Sequence, residues 1–105
     1  DVADLGGEIL GYAAWKDAVK GRDLKPRDGL TPDQRFFVGF AQWACENVRP
    51  EQEREWALTN PHSPARYRIN GVVVNMPEFA RAFSCKAGAP MTKPAGKVCA
   101  VVTDS

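Results

Sequence analysis

Asp1-Val2-Ala3-Asp4-Leu5-Gly6-Gly7-Glu8-Ile9-Leu10-Gly11-Tyr12-Ala13-Ala14-Trp15-Lys16-Asp17-Ala18-Val19-Lys20-Gly21 sets Val2, Leu5, Ile9, Tyr12, Trp15 and Val19 three and four residues apart. That spacing lays them along one face of an α-helix, and Gly21 marks where it stops. Gly6 and Gly7 interrupt the pattern, because a glycine inside a helix costs about 1 kcal/mol against alanine. The pair points either to close approach of another backbone or ligand, or to fraying at the helix end. The sequence opens inside this helix and without an initiating Met, so the expectation is the C-terminal piece of a longer protein.

Further helices follow by the same reasoning. Arg22 to Leu30, broken by Pro26 and Gly29, reads as a solvated charged loop. Thr31-Pro32-Asp33-Gln34 then combines an N-cap, a proline at the first helical position and a capping-box glutamine. A helix is expected from Pro32 to about Asn47, with Phe37, Phe40, Ala41, Ala44 and Val48 as its core stripe. Arg49-Pro50-Glu51 starts a shorter one to about Leu58, and Asn75-Met76-Pro77-Glu78 a last one through Phe83. Ile69 to Val74 reads as a short extended segment. The fold class is therefore mainly α, and the Gly, Ala, Pro and Lys tail after Cys85 needs another surface to lie against.

Composition narrows the function. The 105 residues are 44% hydrophobic and 26% charged, which is globular rather than disordered. A net charge of +1 gives no field favouring nucleic acid, and Arg66-Tyr67-Arg68 is too small for a basic, aromatic binding face. No apolar run approaches the roughly 18 to 20 residues that span a bilayer, and the start lacks the basic and apolar regions of a signal peptide. Three cysteines, none in Cys-x-x-Cys spacing, leave at least one free or paired elsewhere. An internal Cys85–Cys99 bridge with a buried Cys45 is one arrangement, and that loop would contribute roughly 3 kcal/mol.

The candidate site is Thr59-Asn60-Pro61-His62-Ser63-Pro64, which holds the single histidine of the chain between two prolines. Each proline fixes its own φ and restricts the residue before it, so His62 has little backbone freedom to lose on binding. Imidazole there suits an acid, a base or a hydrogen-bond donor near neutral pH, although an isolated loop histidine is more commonly a plain surface residue.

Taken together, Asp1 to Gly7 and Thr59 to Arg68 resemble the neprilysin-like zinc endopeptidases, which include the endothelin-converting enzymes and bacterial relatives. That family carries a Glu-Asn-Ile-Ala-Asp-x-Gly-Gly helix and a Thr-Asp-x-His-Ser-Pro-x-x-Phe-Arg loop. The likeness continues through Phe36 to Gln42, Cys45, Arg49 to Glu51, Asn75 to Phe83, Cys85 and Cys99. It implies the C-terminal helical part of a thermolysin-like catalytic domain, residues 1–105, acting on short peptides. One zinc ion is implied, with its ligands upstream; the third would be a glutamate directly before Asp1.

By resemblance, Asp4 holds a zinc-bound histidine through its other ring N–H; its alternative is a first-turn aspartate on the helix dipole. His62 would donate to the oxyanion of the tetrahedral intermediate, Arg68 would grip a peptide carbonyl, and Arg66 would be only a surface charge. Cys45, Cys85 and Cys99 would each pair with upstream residues, which implies an extracytoplasmic address. The expected partners are the upstream remainder and peptide substrates, and this chain alone is expected to be inactive. The alternative is a noncatalytic helical interaction module or an inactive relative.

Three departures bear on the site. Asn60 stands where the family has an aspartate, removing a negative partner for imidazolium. Ala41-Gln42-Trp43-Ala44-Cys45 replaces the family's Ala-Gln-Val-Trp-Cys, moving the large ring about 100° around the helix. Cys99-Ala100-Val101-Val102 replaces a terminal Cys-x-x-Trp.

Overall fold

The computed structural model describes residues 1–98, and within them five α-helices carry the fold. They are α1 (Val2–Ala18), α2 (Pro32–Trp43), α3 (Pro50–Thr59), α4 (Ala65–Val73) and α5 (Pro77–Ala82), followed by a 3-10 turn at Ala95–Lys97. Among the described residues the only β pairing is an isolated Arg27–Leu30 bridge, closed by Asp28 and Gly29 at φ 53° and 75°.

The expected N-terminus of α2 forms in full. The Thr31 hydroxyl accepts from the Gln34 backbone N–H at 3.2 Å, and the Gln34 side chain accepts from the Thr31 N–H at 3.0 Å. Two orphan donors of the first turn are thereby satisfied. Gln34 also donates to the Ala82 carbonyl at 3.0 Å, which ties α2 to the end of α5.

Helix α4 packs against α1 and α2, and α5 against α2. Their meeting line is the core: Leu5, Phe37, Val72, Val73 and Met76, each at most 4% exposed. Around Phe37 the aromatic rings interlock, Tyr12 stacking at 5.6 Å and Phe79 meeting it edge-on at 5.5 Å. The Tyr12 hydroxyl and Lys16 both donate to Asp33, at 3.1 and 2.9 Å, so a polar clasp closes the outer edge of the α1–α2 contact.

Three sequence expectations are corrected. Ile69 to Val74 is not extended but belongs largely to helix α4. Its β-branched residues read locally as a strand, yet Val72, Val73 and Met76 are buried together on the core side, and tertiary burial outweighs so weak a preference. Helix α2 ends at Trp43 rather than Asn47, with Ala44 and Cys45 donating to Ala41 and Gln42 in a tightened last turn. Beyond it Glu46 accepts from the Ala65 N–H at 3.4 Å, which draws this linker toward the start of α4. Of the expected α2 stripe only Phe37 is fully buried, whereas Phe40, Ala41, Ala44 and Val48 are half-buried.

Phe37→Ala removes the ring on which Tyr12 and Phe79 close. A loss of about 3–5 kcal/mol is expected for a buried phenylalanine truncated to alanine, read by denaturant unfolding. A loss below about 1 kcal/mol would show that the core does not centre on this ring.

Candidate functional site

The loop between α3 and α4 is built by its prolines and by one amide. Asn60, ahead of Pro61, is extended (φ −94°, ψ 126°), and its side-chain oxygen accepts from the His62 backbone N–H at 2.9 Å. This Asx turn fixes the backbone at His62 while leaving the imidazole exposed. Ser63 then donates to an Asp1 carboxylate oxygen at 2.7 Å, pinning the loop to the beginning of α1.

One turn further along each helix, Arg68 of α4 meets Asp4 of α1. Its Nε and Nη2 donate to the two carboxylate oxygens at 2.9 and 2.8 Å, a fork-to-fork pair on half-buried side chains. The indole of Trp43 lies 4.6 Å from the guanidinium carbon. The Arg68 hydrogen bond holds the Asp4 carboxyl below its ordinary pKa against the opposing effect of burial. Arg68 is raised in turn by the same bond.

An open groove of about 720 Å³ lies beside this pair, and its lining includes Trp43, Trp56, His62, Ser63 and Arg68. The structure thus brings His62 and Arg68 to one groove and joins Arg68 to Asp4. Arg66 is exposed; it pairs with Glu53 at 2.8 Å and covers the Tyr67 ring at 4.8 Å, linking α3 to α4. Cys45 is an exposed free thiol at the groove and Cys85 a half-buried one, while Cys99 lies outside the described residues. Among the described residues no group of three or more His, Cys, Asp or Glu is placed to hold a metal ion. No helix among them is long and apolar enough to cross a membrane. Gly6 is buried, whereas a Cβ at Gly7 would meet only open space, so packing within this chain does not require glycine there.

The profile of peptidase family M13 matches residues 1–99. The chain belongs to that family. It is 41% identical to human endothelin-converting enzyme 1 over 97 residues, covering 90% of this chain and 13% of that protein. Neprilysin-1 of Caenorhabditis elegans is 43% identical over 96 residues, covering 87% and 13%. In three dimensions the fold matches the zinc metalloprotease Zmp1 of Mycobacterium tuberculosis in its open state, with a TM-score of 0.79 at 33% identity. That match covers 87% of this chain and 14% of Zmp1. The chain therefore spans about one-eighth of the length of these M13 relatives.

Besides the Asp4–Arg68 pairing, two features escaped sequence reasoning. One is the Trp43 stack, which depends on where α2 ends. The other is Glu8, one helical turn past Asp4, a spacing that puts both carboxyls on one side of α1. Burial raises the Glu8 carboxyl to about 7, and its Oε1 is enclosed without a hydrogen-bond partner among the described residues. A folded pKa above the unfolded one means that the native state holds the proton more tightly, so this contribution is fully present below about 4.5 and is lost as pH rises toward 7. Glu8→Gln should therefore raise the thermal midpoint of this chain at pH 8 and give no such gain at pH 4.5. An equal shift at both pH values would contradict the buried-carboxyl account.

Proposed function

We propose that this chain is the C-terminal part of a zinc-dependent endopeptidase of short peptides, to which it supplies an oxyanion donor, His62, and a substrate-binding arginine, Arg68. The observation that carries the reading is the Asp4–Arg68 fork beside the loop that presents His62. Arginine has five N–H donors, and Asp4 engages only Nε and Nη2. The Nη1 donors are left to take a backbone carbonyl of a peptide lying in the groove.

The imidazole has a complementary task. As an amide carbonyl becomes tetrahedral, its oxygen gains negative charge, and a ring N–H already aimed at that position stabilises the transition state more than the ground state. The Asx turn under His62 keeps the ring's attachment point fixed, so little reorganisation accompanies the reaction. Asp4 serves two neighbours: its carboxylate anchors Arg68, and the oxygen lone pairs left over can accept from the N–H of a metal-bound histidine. The metal would be held by residues elsewhere in the protein, including a glutamate preceding Asp1 and a His-Glu-x-x-His pair. When bound, zinc supplies a Lewis acid and an activated water. This chain by itself lacks that chemistry and should not cleave peptides.

The odd cysteine count and the exposed Cys45 thiol support pairing of Cys45, Cys85 and Cys99 with residues elsewhere in the protein, in an oxidising, extracytoplasmic compartment. Leu58, 89% exposed, and Leu10, 59% exposed, offer apolar surface to the same remainder. Those exposed residues also favour a second reading, a noncatalytic helical interaction module. A longer protein without His-Glu-x-x-His, bound zinc or peptide cleavage would favour that reading.

In the full-length enzyme, His62→Ala should lower kcat/KM by about 10²–10³-fold, as loss of one oxyanion donor does, with zinc content unchanged. Arg68→Ala should act mainly by raising KM. An unaltered kcat/KM in His62→Ala would remove the oxyanion role.

A further inference from the structure

Helix α2 ends with its last residue, Trp43, projecting a ring that is 58% exposed. Two groups lie against this indole. One helical turn back, Phe40 lies nearly parallel to it, with centroids 6.3 Å apart and planes 8° from one another. On Arg68 the guanidinium carbon sits 4.6 Å from the indole centroid. Phe40 itself packs against the buried core. A continuous column therefore runs from core to groove: Phe40, Trp43, Arg68, and at the outer edge of the fork, Asp4.

The two supports of Arg68 are not redundant. The bidentate bonds from Nε and Nη2 to Asp4 fix the guanidinium edge, but they leave a hinge about the line joining the two groups. A flat π-face at stacking distance opposes rotation about that hinge and attracts the cation at the same time. The Nη1 donors then keep a fixed direction.

We propose that Trp43 is a positioning residue for Arg68, locking the orientation in which the guanidinium receives a peptide backbone carbonyl. The inference rests on the reading of Arg68 as a substrate contact and adds the device that orients it. It also gives the displaced aromatic ring of Ala41-Gln42-Trp43-Ala44-Cys45 a task distinct from lining a side-chain pocket.

The test is a double-mutant cycle on the full-length enzyme, with KM and kcat measured separately on one peptide substrate. Trp43→Ala should raise KM about five-fold, in line with a partly exposed cation–π contact, and leave kcat within about two-fold. Trp43→Phe, which keeps a ring face, should recover most of the loss; Trp43→Leu, which keeps only apolar bulk, should not. In an Arg68→Ala background the Trp43→Ala change should move KM by less than about two-fold, because the residue through which it acts is gone. Because the ring is more than half exposed, these replacements leave the core intact, and Trp43→Leu serves the cycle should alanine destabilise the helix end.

Equal KM losses from Trp43→Ala with and without Arg68 would overturn the positioning role, since the ring would then meet the peptide directly or only prop the fold. Full recovery by leucine would overturn it as well. A wild-type KM for Arg68→Ala alone would overturn the substrate-contact reading and this inference with it, so the two failures are told apart by the single Arg68 variant.

Discussion

The fork between Asp4 and Arg68 is the constraint on which the rest of the groove depends. It joins residues 64 positions apart in sequence, from the first turn of α1 to the first turn of α4. With that link in place the loop carrying His62 has one end held by α4 and is held again by the Ser63–Asp1 hydrogen bond. The core below supplies a rigid floor, because Leu5 follows Asp4 directly on α1 and Val72 lies one turn after Arg68 on α4, both buried together. The polar fork and the apolar contact thus reinforce the same helix pairing from adjacent layers.

Helix α1 shows how environment separates two like side chains. Asp4 is ionised and stabilised by a guanidinium, whereas Glu8, one turn on, is raised by desolvation with no compensating partner among the described residues. In linkage terms they oppose each other: the Asp4 contribution is lost as pH falls through its lowered pKa, the Glu8 contribution as pH rises toward its raised one. Stability from this helix therefore has an acid limit and a near-neutral limit.

Much of this arrangement was legible in the sequence wherever the signal was local. The capping box at Thr31 and Gln34 formed with both bonds, and Pro50 and Pro77 each opened a helix. Membership in M13 was legible because motif order and spacing along the whole chain agree, and the profile match over residues 1–99 bears it out. The Ile69–Val74 segment failed because three consecutive valines carry a strand-like preference that only the tertiary burial of Val72 and Val73 reverses. The end of α2 failed because no glycine or proline marks Trp43; a contact from Glu46 to the start of α4 lies in the linker beyond it. The Asp4–Arg68 pairing and the Phe40–Trp43–Arg68 column were illegible for a related reason. They are products of helix packing, and neither spacing nor residue type announces a contact across such a sequence distance.

The most direct measurement is a structure of the full-length, zinc-loaded protein bound to a peptide whose scissile amide is replaced by a phosphonate, which mimics the tetrahedral intermediate. The account predicts a His62 ring nitrogen within hydrogen-bond distance of a phosphonate oxygen, and Arg68 donating to a peptide carbonyl while still forked to Asp4. A ligand bound with His62 turned to solvent and Arg68 touching only Asp4 would contradict it.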